Sequence, residues 1–272
     1  MPTSSDRSVP ATLARPKAHL EVDNLSAGYG GAPIVTDASA TVGLGEIVTI
    51  VGPNGAGKST FLKAVVGMIP TMGGHVLLAG EDVTDMRANH LAKRGLGYVP
   101  QVNDVFDTLS VLDNLAMGGY LLKGAEVAAR TEAVLEIFPA LKRMLRRTAS
   151  KLSGGERKML AMARVLMLEP RVLVLDEPTS NLSADLSRML LEEHVSRLGR
   201  AGTAVLIVEQ KALAALGISD WAYVMAGGTM KLSSSARELL ARKDIGEVFL
   251  GRTTGQAEGN KAEAPKASGG TG

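Results

Sequence analysis

Residues 52–59 read Gly52-Pro53-Asn54-Gly55-Ala56-Gly57-Lys58-Ser59, a complete G-x-x-x-x-G-K-[ST] pattern. Glycines let a backbone wrap closely around phosphate oxygens, where a β-carbon would clash or forbid the dihedrals. Backbone N–H groups and a following helix N-terminus then face the anion. Lys58 is placed to reach β- and γ-phosphates, the Ser59 hydroxyl can ligate Mg²⁺, and Thr60 follows at the helix start. The pattern also has the right context. The apolar run Ile47–Val51 precedes it and a helical pattern follows it.

A second set of chemical groups lies at Arg171-Val172-Leu173-Val174-Leu175-Asp176-Glu177, an apolar strand ending in two carboxylates. Ligands of parallel sheets sit at the carboxyl ends of the strands. Asp176 can hold Mg²⁺ directly or through water, and Glu177 is the candidate to polarise an attacking water. A third feature is Leu152-Ser153-Gly154-Gly155-Glu156, ahead of a long helical pattern. Ser153 is a natural N-cap, and Gly154 and Gly155 leave the helix end open to an anion; an ordinary capped helix has the same spacing.

The elements that must position these groups alternate between strand and helix. Strands are expected at Leu20–Leu25, Ile47–Val51, His75–Leu78, Val172–Leu175, Ala204–Val208 and Trp221–Met225. Helices are expected at Lys58–Val66, Ser110–Met117, Ala125–Ile137, Glu156–Leu168, Ala184–Leu198 and Ser235–Ala241. Such alternation in the second half predicts parallel strands with crossover helices, an α/β fold. The stretch from about 103 to 150 shows no strand signal and reads as a helical insertion.

Composition closes off several other chemistries. The 272 residues hold no cysteine, which excludes disulfide scaffolds, thiolate zinc sites, iron–sulfur clusters and cysteine nucleophiles. The formal net charge of +2 and an aromatic content of 3% argue against a nucleic-acid partner. The longest stretch free of Asp, Glu, Lys and Arg, Ala64–Gly80, is broken by Gly67, Pro70, Gly73 and Gly74 and is no membrane span. Residues 1–18 lack an apolar segment and residues 252–272 lack Val, Ile, Leu, Met and aromatics, so both read as flexible extensions around a domain at 19–251. The methionines, Met117, Met144, Met159, Met162, Met167 and Met189 among them, are expected to fill gaps in the core. Lys142-Arg143 and Arg146-Arg147 read as a solvated basic face.

Together these motifs resemble those of the ATP-binding subunits of ABC transporters. The phosphate loop is Gly52–Ser59, the signature turn Leu152–Glu156 and the Walker B strand Val172–Asp176, followed by Glu177. Gln101, after Tyr98-Val99-Pro100, matches the Q-loop, and Tyr29 in Gly28-Tyr29-Gly30 matches the aromatic that stacks on adenine. The resemblance implies a P-loop NTPase core with a mostly parallel sheet, an N-terminal antiparallel β part and a helical subdomain at about 103–165. It implies ATP and Mg²⁺ as ligands, with Ser59, Gln101 and Asp176 at the metal. Two such subunits would meet head to tail, so that Ser153, Gly154 and Gly155 contact the partner's γ-phosphate. The helical insertion and the segment after Gln101 would dock on two transmembrane permease subunits.

The departures from the common pattern narrow the resemblance. Glu156 stands where the signature usually has Gln, which allows it to cap the helix. Gln210, in Leu206-Ile207-Val208-Glu209-Gln210, stands where most members have a His on the γ-phosphate; it can donate a hydrogen bond but cannot become cationic. The turn Ser180-Asn181-Leu182-Ser183 lacks the frequent Asp. Val-Glu-Gln, the run Asn103–Val111 with Asp113-Asn114-Leu115, and the stretches Glu238–Leu240 and Val248–Gly251 resemble one ATPase subunit of the branched-chain amino acid importers. That group implies a second, different ATPase chain, an indirect solute-binding partner and a peripheral place on the cytoplasmic face of the inner membrane. Importers of urea or short amides share much of this pattern. Two further alternatives are a soluble non-transport ATPase and a regulatory subunit that hardly hydrolyses ATP.

Overall fold

The computed structural model describes residues 15–102 and 104–249. The extension read at 1–18, apart from its last four residues, and the tail read at 252–272 lie outside them. The chain opens with β1 (Ala18–Tyr29), β2 (Ala32–Gly43), β3 (Ile47–Val51), α1 (Lys58–Val65), β4 (Thr71–Leu78) and β5 (Glu81–Asp82). Next come α2 (Ala88–Lys93), β6 (Leu96–Val99), α3 (Val111–Gly118), α4 (Ala125–Ile137), α5 (Pro139–Lys142), α6 (Gly154–Leu166) and β7 (Val172–Asp176). Ala184–Met189, the π-helical Leu190–Val195 and Ser196–Arg200 then follow end to end as one long helix, α7. Strands β8 (Ala204–Glu209), β9 (Trp221–Ala226) and β10 (Thr229–Ser235) complete the sheets. Short helices lie at Ala212–Leu216, Ala236–Leu240 and Ile245–Phe249.

The strands form two sheets. One is antiparallel, in the order β2-β1-β4-β5. The other runs β10-β9-β3-β8-β7-β6, parallel throughout except for the β9–β10 pair. Strands β3, β7 and β8 are buried at every position, as expected where helices cover both faces. Their alternation still sorts two cores. Val48, Ile50, Val174 and Leu206 pack with Phe61 and Leu62 of α1. Leu173, Leu175, Val205 and Ile207 pack on the opposite face with residues of α6 and α7 such as Leu160, Met162 and Leu190. Residues 103–150 contribute helices and, among those described, only the isolated bridge Ser110↔Thr148.

All six expected strands and all six expected helices are present, with ends shifted by a few residues. Strands β2, β5, β6 and β10 carry too little of the usual signal. Strand β2 (APIVTDASATVG) and β10 (TMKLSSS) are rich in Ala, Gly and Ser, and β6 (LGYV) is four residues long. Long-range pairing makes them strands. One expectation about the core fails. Met159, Met162 and Met167 are buried, but Met117 is 49% exposed. It projects from the helical subdomain because that face of α3 borders a groove, described below. The basic face is largely exposed, with Lys142 paired to Glu136 and Arg147 3.9 Å from Glu156.

Candidate nucleotide site

The parallel register brings the carboxyl ends of β3, β8, β7 and β6 to one edge of the sheet. Val51 lies opposite Glu209, Asp176 opposite Val208, and Val99 opposite Leu175. The phosphate loop leaves β3 there, Glu209 and Gln210 end β8, Asp176 and Glu177 end β7, and Gln101 follows β6. Gly52 must be glycine, because a Cβ would sit 2.0 Å from the Met225 carbonyl oxygen. Gly57 caps α1 with φ +99°, a left-handed conformation that L side chains rarely adopt. The eight-residue α1 thus starts at Lys58 with its first N–H groups turned to the loop.

Lys58 is buried, and its Nζ donates to the carbonyls of Gly52 (2.8 Å) and Pro53 (3.0 Å). Burial lowers its pKa, against the raising effect of Glu177, Asp176 and Glu209. Asp176 is 3% exposed and accepts one bond on each oxygen: Ser59 Oγ on Oδ1 at 3.2 Å and the Tyr98 hydroxyl on Oδ2 at 3.3 Å. Burial raises its pKa, opposed by those two bonds and by Lys63 and Lys58. Glu177 sits in a left-handed conformation, φ +45°, which costs a non-glycine residue about 1–2 kcal/mol. The turn is held by Glu177 N–H donating to the Val208 carbonyl at 2.9 Å. Gln101 Nε2 donates to Glu177 Oε2 at 2.8 Å, which fixes the carboxylate. Burial raises the Glu177 pKa, Lys58 opposes this, and Glu209 and Asp176 add to it.

Tyr29 lies at the tip of the β1–β2 hairpin and is 49% exposed. Strand β2 carries that hairpin past the phosphate loop, with Val35 Cγ2 3.1 Å from the position a Gly57 Cβ would take. Ser153, Gly154 and Gly155 lie elsewhere. Ser153 caps α6, and Glu156 completes a capping box by accepting from Ser153 N–H at 2.8 Å. The carboxylate in place of the usual Gln therefore serves the helix end. Gly154 and Gly155 lie against Leu182 and Leu186; a Cβ on Gly154 would meet Leu182 at an ordinary 3.5 Å, and one on Gly155 would press on Leu186 at 3.2 Å.

Three residues at this edge, Glu209, Lys211 and Tyr98, are given no role of their own by the sequence. Glu209, 2% exposed, accepts from Thr179 N–H (2.8 Å), Thr179 Oγ1 (2.7 Å), Gln210 N–H (3.1 Å) and Lys211 N–H (3.4 Å). Lys211 Nζ donates to the Leu182 carbonyl at 3.0 Å, tying the same turn to the segment before α7. Tyr98 holds Asp176 as described. An apolar strand ending in a carboxylate, the signal that found Asp176, also marks Glu209.

Ser59 and Asp176 suit a hard cation. Both offer oxygen donors beside the loop that faces phosphate, and no cluster of three or more His, Asp or Glu occurs among the described residues. That donor set fits Mg²⁺, which keeps waters and phosphate oxygens rather than a protein cage.

A parallel sheet with a phosphate loop on one strand and paired carboxylates on another, two strands away, defines a P-loop nucleotide hydrolase. The family model described as ABC transporter matches residues 35–180, and the chain belongs to this family of ATP-hydrolysing transporter subunits. It is 37% identical over 232 residues to the probable branched-chain amino acid transport ATP-binding protein LivF of Archaeoglobus fulgidus, covering 85% of this chain and 98% of that one. Identity is 36% to the high-affinity branched-chain amino acid transport ATP-binding protein BraG of Pseudomonas aeruginosa, with 85% and 99% covered. Identity is 31% to the lipopolysaccharide export system ATP-binding protein LptB of Escherichia coli, with 86% and 98% covered. A nucleotide-free ATP-binding cassette from an ABC transporter is similar in structure, with TM-score 0.77, 25% identity and coverage of 86% and 99%.

Proposed function

We propose that this chain hydrolyses ATP to drive an importer of branched-chain or related small amino acids. The observation that carries the substrate class is the 36–37% identity, over 85% of the chain, to two proteins named for branched-chain amino acid transport. Importers of urea or short amides are the neighbouring reading within the same resemblance.

In this reading the Gly52–Thr60 backbone cradles the phosphates and Lys58 exchanges its two carbonyl partners for phosphate oxygens. Ser59, Asp176 and Gln101 would hold Mg²⁺, which would supply charge neutralisation on the phosphates. Glu177, fixed by Gln101 on one oxygen, orients the attacking water with the other. Gln210 donates to the γ-phosphate from the end of β8, and Tyr29 stacks on adenine. The capped helix end at Ser153-Gly154-Gly155 completes the site of a second ATPase subunit, a different chain, in a head-to-tail pair.

No helix among the described residues is long and apolar enough to cross a membrane, and in this reading membrane-spanning partners provide the path. A groove of 550 Å³ between the core and the helical subdomain suits them. Its wall includes Ala92 of α2, Tyr98 of β6, Phe106, Met117 of α3, Tyr120 and Val165 of α6, with Phe106, Met117 and Tyr120 42–55% exposed. A permease subunit docks there, one of two in the complex, and the chain lies on the cytoplasmic face of the inner membrane, with a solute-binding protein on the far side. The test is purification of the tagged chain from mildly solubilised native membranes, with mass spectrometry of what accompanies it. Two permeases and a second ATPase are the expected companions. A preparation holding only cytosolic proteins overturns the transporter reading.

A further inference from the structure

Tyr98 belongs to two places at once. It lines the apolar groove, together with Phe106, Met117 and Val165. Its hydroxyl also donates to Asp176 Oδ2 at 3.3 Å. The register explains the reach. Tyr98 on β6 lies directly opposite Val174 on β7, and Asp176 is two residues on, so it projects from the same face of the sheet. A long aromatic side chain spans that diagonal. Ser59 holds the other Asp176 oxygen from the phosphate-loop side, so the carboxylate is gripped between the nucleotide loop and the groove wall.

We propose that Tyr98 is a positioning residue that joins the groove to the metal-binding carboxylate. A permease side chain packed in the groove confines Tyr98, and the confined hydroxyl holds Asp176 in the orientation that binds the cation. Emptying the groove loosens that grip. The inference rests on the groove as the permease seat and on Asp176 as a Mg²⁺ ligand, and it adds a one-residue path between them. Gly97 brings α6 close to β6 next to this path. A Cβ there would lie 2.5 Å from Val165 Cγ1, so α6 packs directly on β6 beside Tyr98.

The test uses Mn²⁺ as the probe, titrated by electron paramagnetic resonance into the full chain loaded with ADP, alone and in the detergent-purified complex with its permeases. Tyr98→Phe keeps the ring and removes the hydroxyl. In the isolated chain it is expected to weaken Mn²⁺ binding about threefold to tenfold, the range for losing one ordinary hydrogen bond, because at 3.3 Å this one is too long to have the full strength of a charge-assisted bond. In the complex, wild-type protein binds Mn²⁺ more tightly than the isolated chain does, whereas Tyr98→Phe binds equally in both. Wild-type Mn²⁺ affinity in isolated Tyr98→Phe overturns the proposal, as does full tightening of that variant in the complex. Met117→Glu separates this from the groove reading. It leaves Mn²⁺ binding in the isolated chain unchanged and loses the permeases. If Met117→Glu still co-purifies with them, the groove reading falls and takes the link with it, while the hydroxyl's hold on Asp176 is still scored by isolated Tyr98→Phe.

Discussion

Truncating Glu209 is expected to cost this protein more stability than any exposed charge would, and the structure sets the size. The carboxylate is 2% exposed and serves four donors. The two Thr179 bonds, at 2.7 and 2.8 Å, are charge-assisted and short, each worth about 1.5–3 kcal/mol. The contacts to Gln210 and Lys211 N–H, at 3.1 and 3.4 Å, contribute less. Removing the group also relieves the cost of burying its charge, which offsets part of the loss. Glu209→Ala is therefore expected to lower the unfolding free energy by about 2–4 kcal/mol, from a buried Thr179 N–H left without an acceptor. Glu209→Gln keeps one oxygen for Thr179 but turns an amide N–H₂ toward the N–H groups of Gln210 and Lys211, and is expected to cost about half as much. Urea denaturation followed by tryptophan fluorescence and circular dichroism measures both. ATP turnover of the folded variants should fall as well, since the turn that carries Gln210 loses its anchor. A Glu209→Ala protein within about 0.5 kcal/mol of wild type, the range of an ordinary surface change, would refute the argument.

Three further outcomes follow from the site. Lys58→Ala should lose nucleotide binding by at least an order of magnitude, read by titration with a fluorescent ATP analogue, because the loop then lacks its only side-chain cation for phosphate. Glu177→Gln should bind ATP normally and hydrolyse it more slowly by an order of magnitude or more, and wild-type single turnover in the assembled complex would remove Glu177 from the mechanism. The acid limb of the rate profile should have its midpoint above the ordinary carboxylate value of 4.5, because burial raises the Glu177 pKa. The sign for stability runs the other way: between the unfolded and folded pKa values the native state holds the extra proton, so this group's contribution to stability falls as pH rises through that window.

The chemistry of the site was legible in the sequence because it depends on short, contiguous patterns. Gly52–Ser59 and Val172–Glu177 each carry their own context, a strand before and a turn or helix after. The order of the strands was not legible. Nothing local says that β8 lies between β3 and β7, since that arrangement comes from pairings such as Leu173↔Val205 across some thirty residues of intervening chain. The partners that act across strands were hidden for the same reason. Tyr98 stands three residues before Gln101 in the sequence, and only the β6–β7 register turns it into a donor for Asp176. Met117 shows the converse error. Its apolar character was readable, but whether the face of α3 it occupies turns inward or to the groove is set by how α3 lies on α6.

The same long-range logic explains why the segment after Gln101 can bury a carboxylate. Asp104 is 6% exposed and lies between two helical cations, with Lys158 Nζ at 2.8 Å and Arg157 Nε at 3.3 Å. Lys158 donates as well to the Gln101 carbonyl at 2.7 Å, and Arg164 donates to the Asp104 carbonyl while stacking 4.4 Å over the Phe106 ring. All three cations stand on α6, the helix that begins at the signature turn. A buried ion pair adds little net stability over an apolar contact, because desolvation offsets the attraction. What it does supply is direction. Apolar packing would let α6 slide over residues 101–106, whereas bonds to two carbonyls and a carboxylate fix one register between them. Gln101 in turn holds Glu177, so the turn at Ser153, the groove wall at Phe106 and the Glu177 carboxylate are all linked to one helix. A displacement of α6 therefore pulls on the Gln101 carbonyl, one side-chain hydrogen bond away from the Glu177 carboxylate, while the Glu177 backbone stays tied to β8 through the Val208 carbonyl.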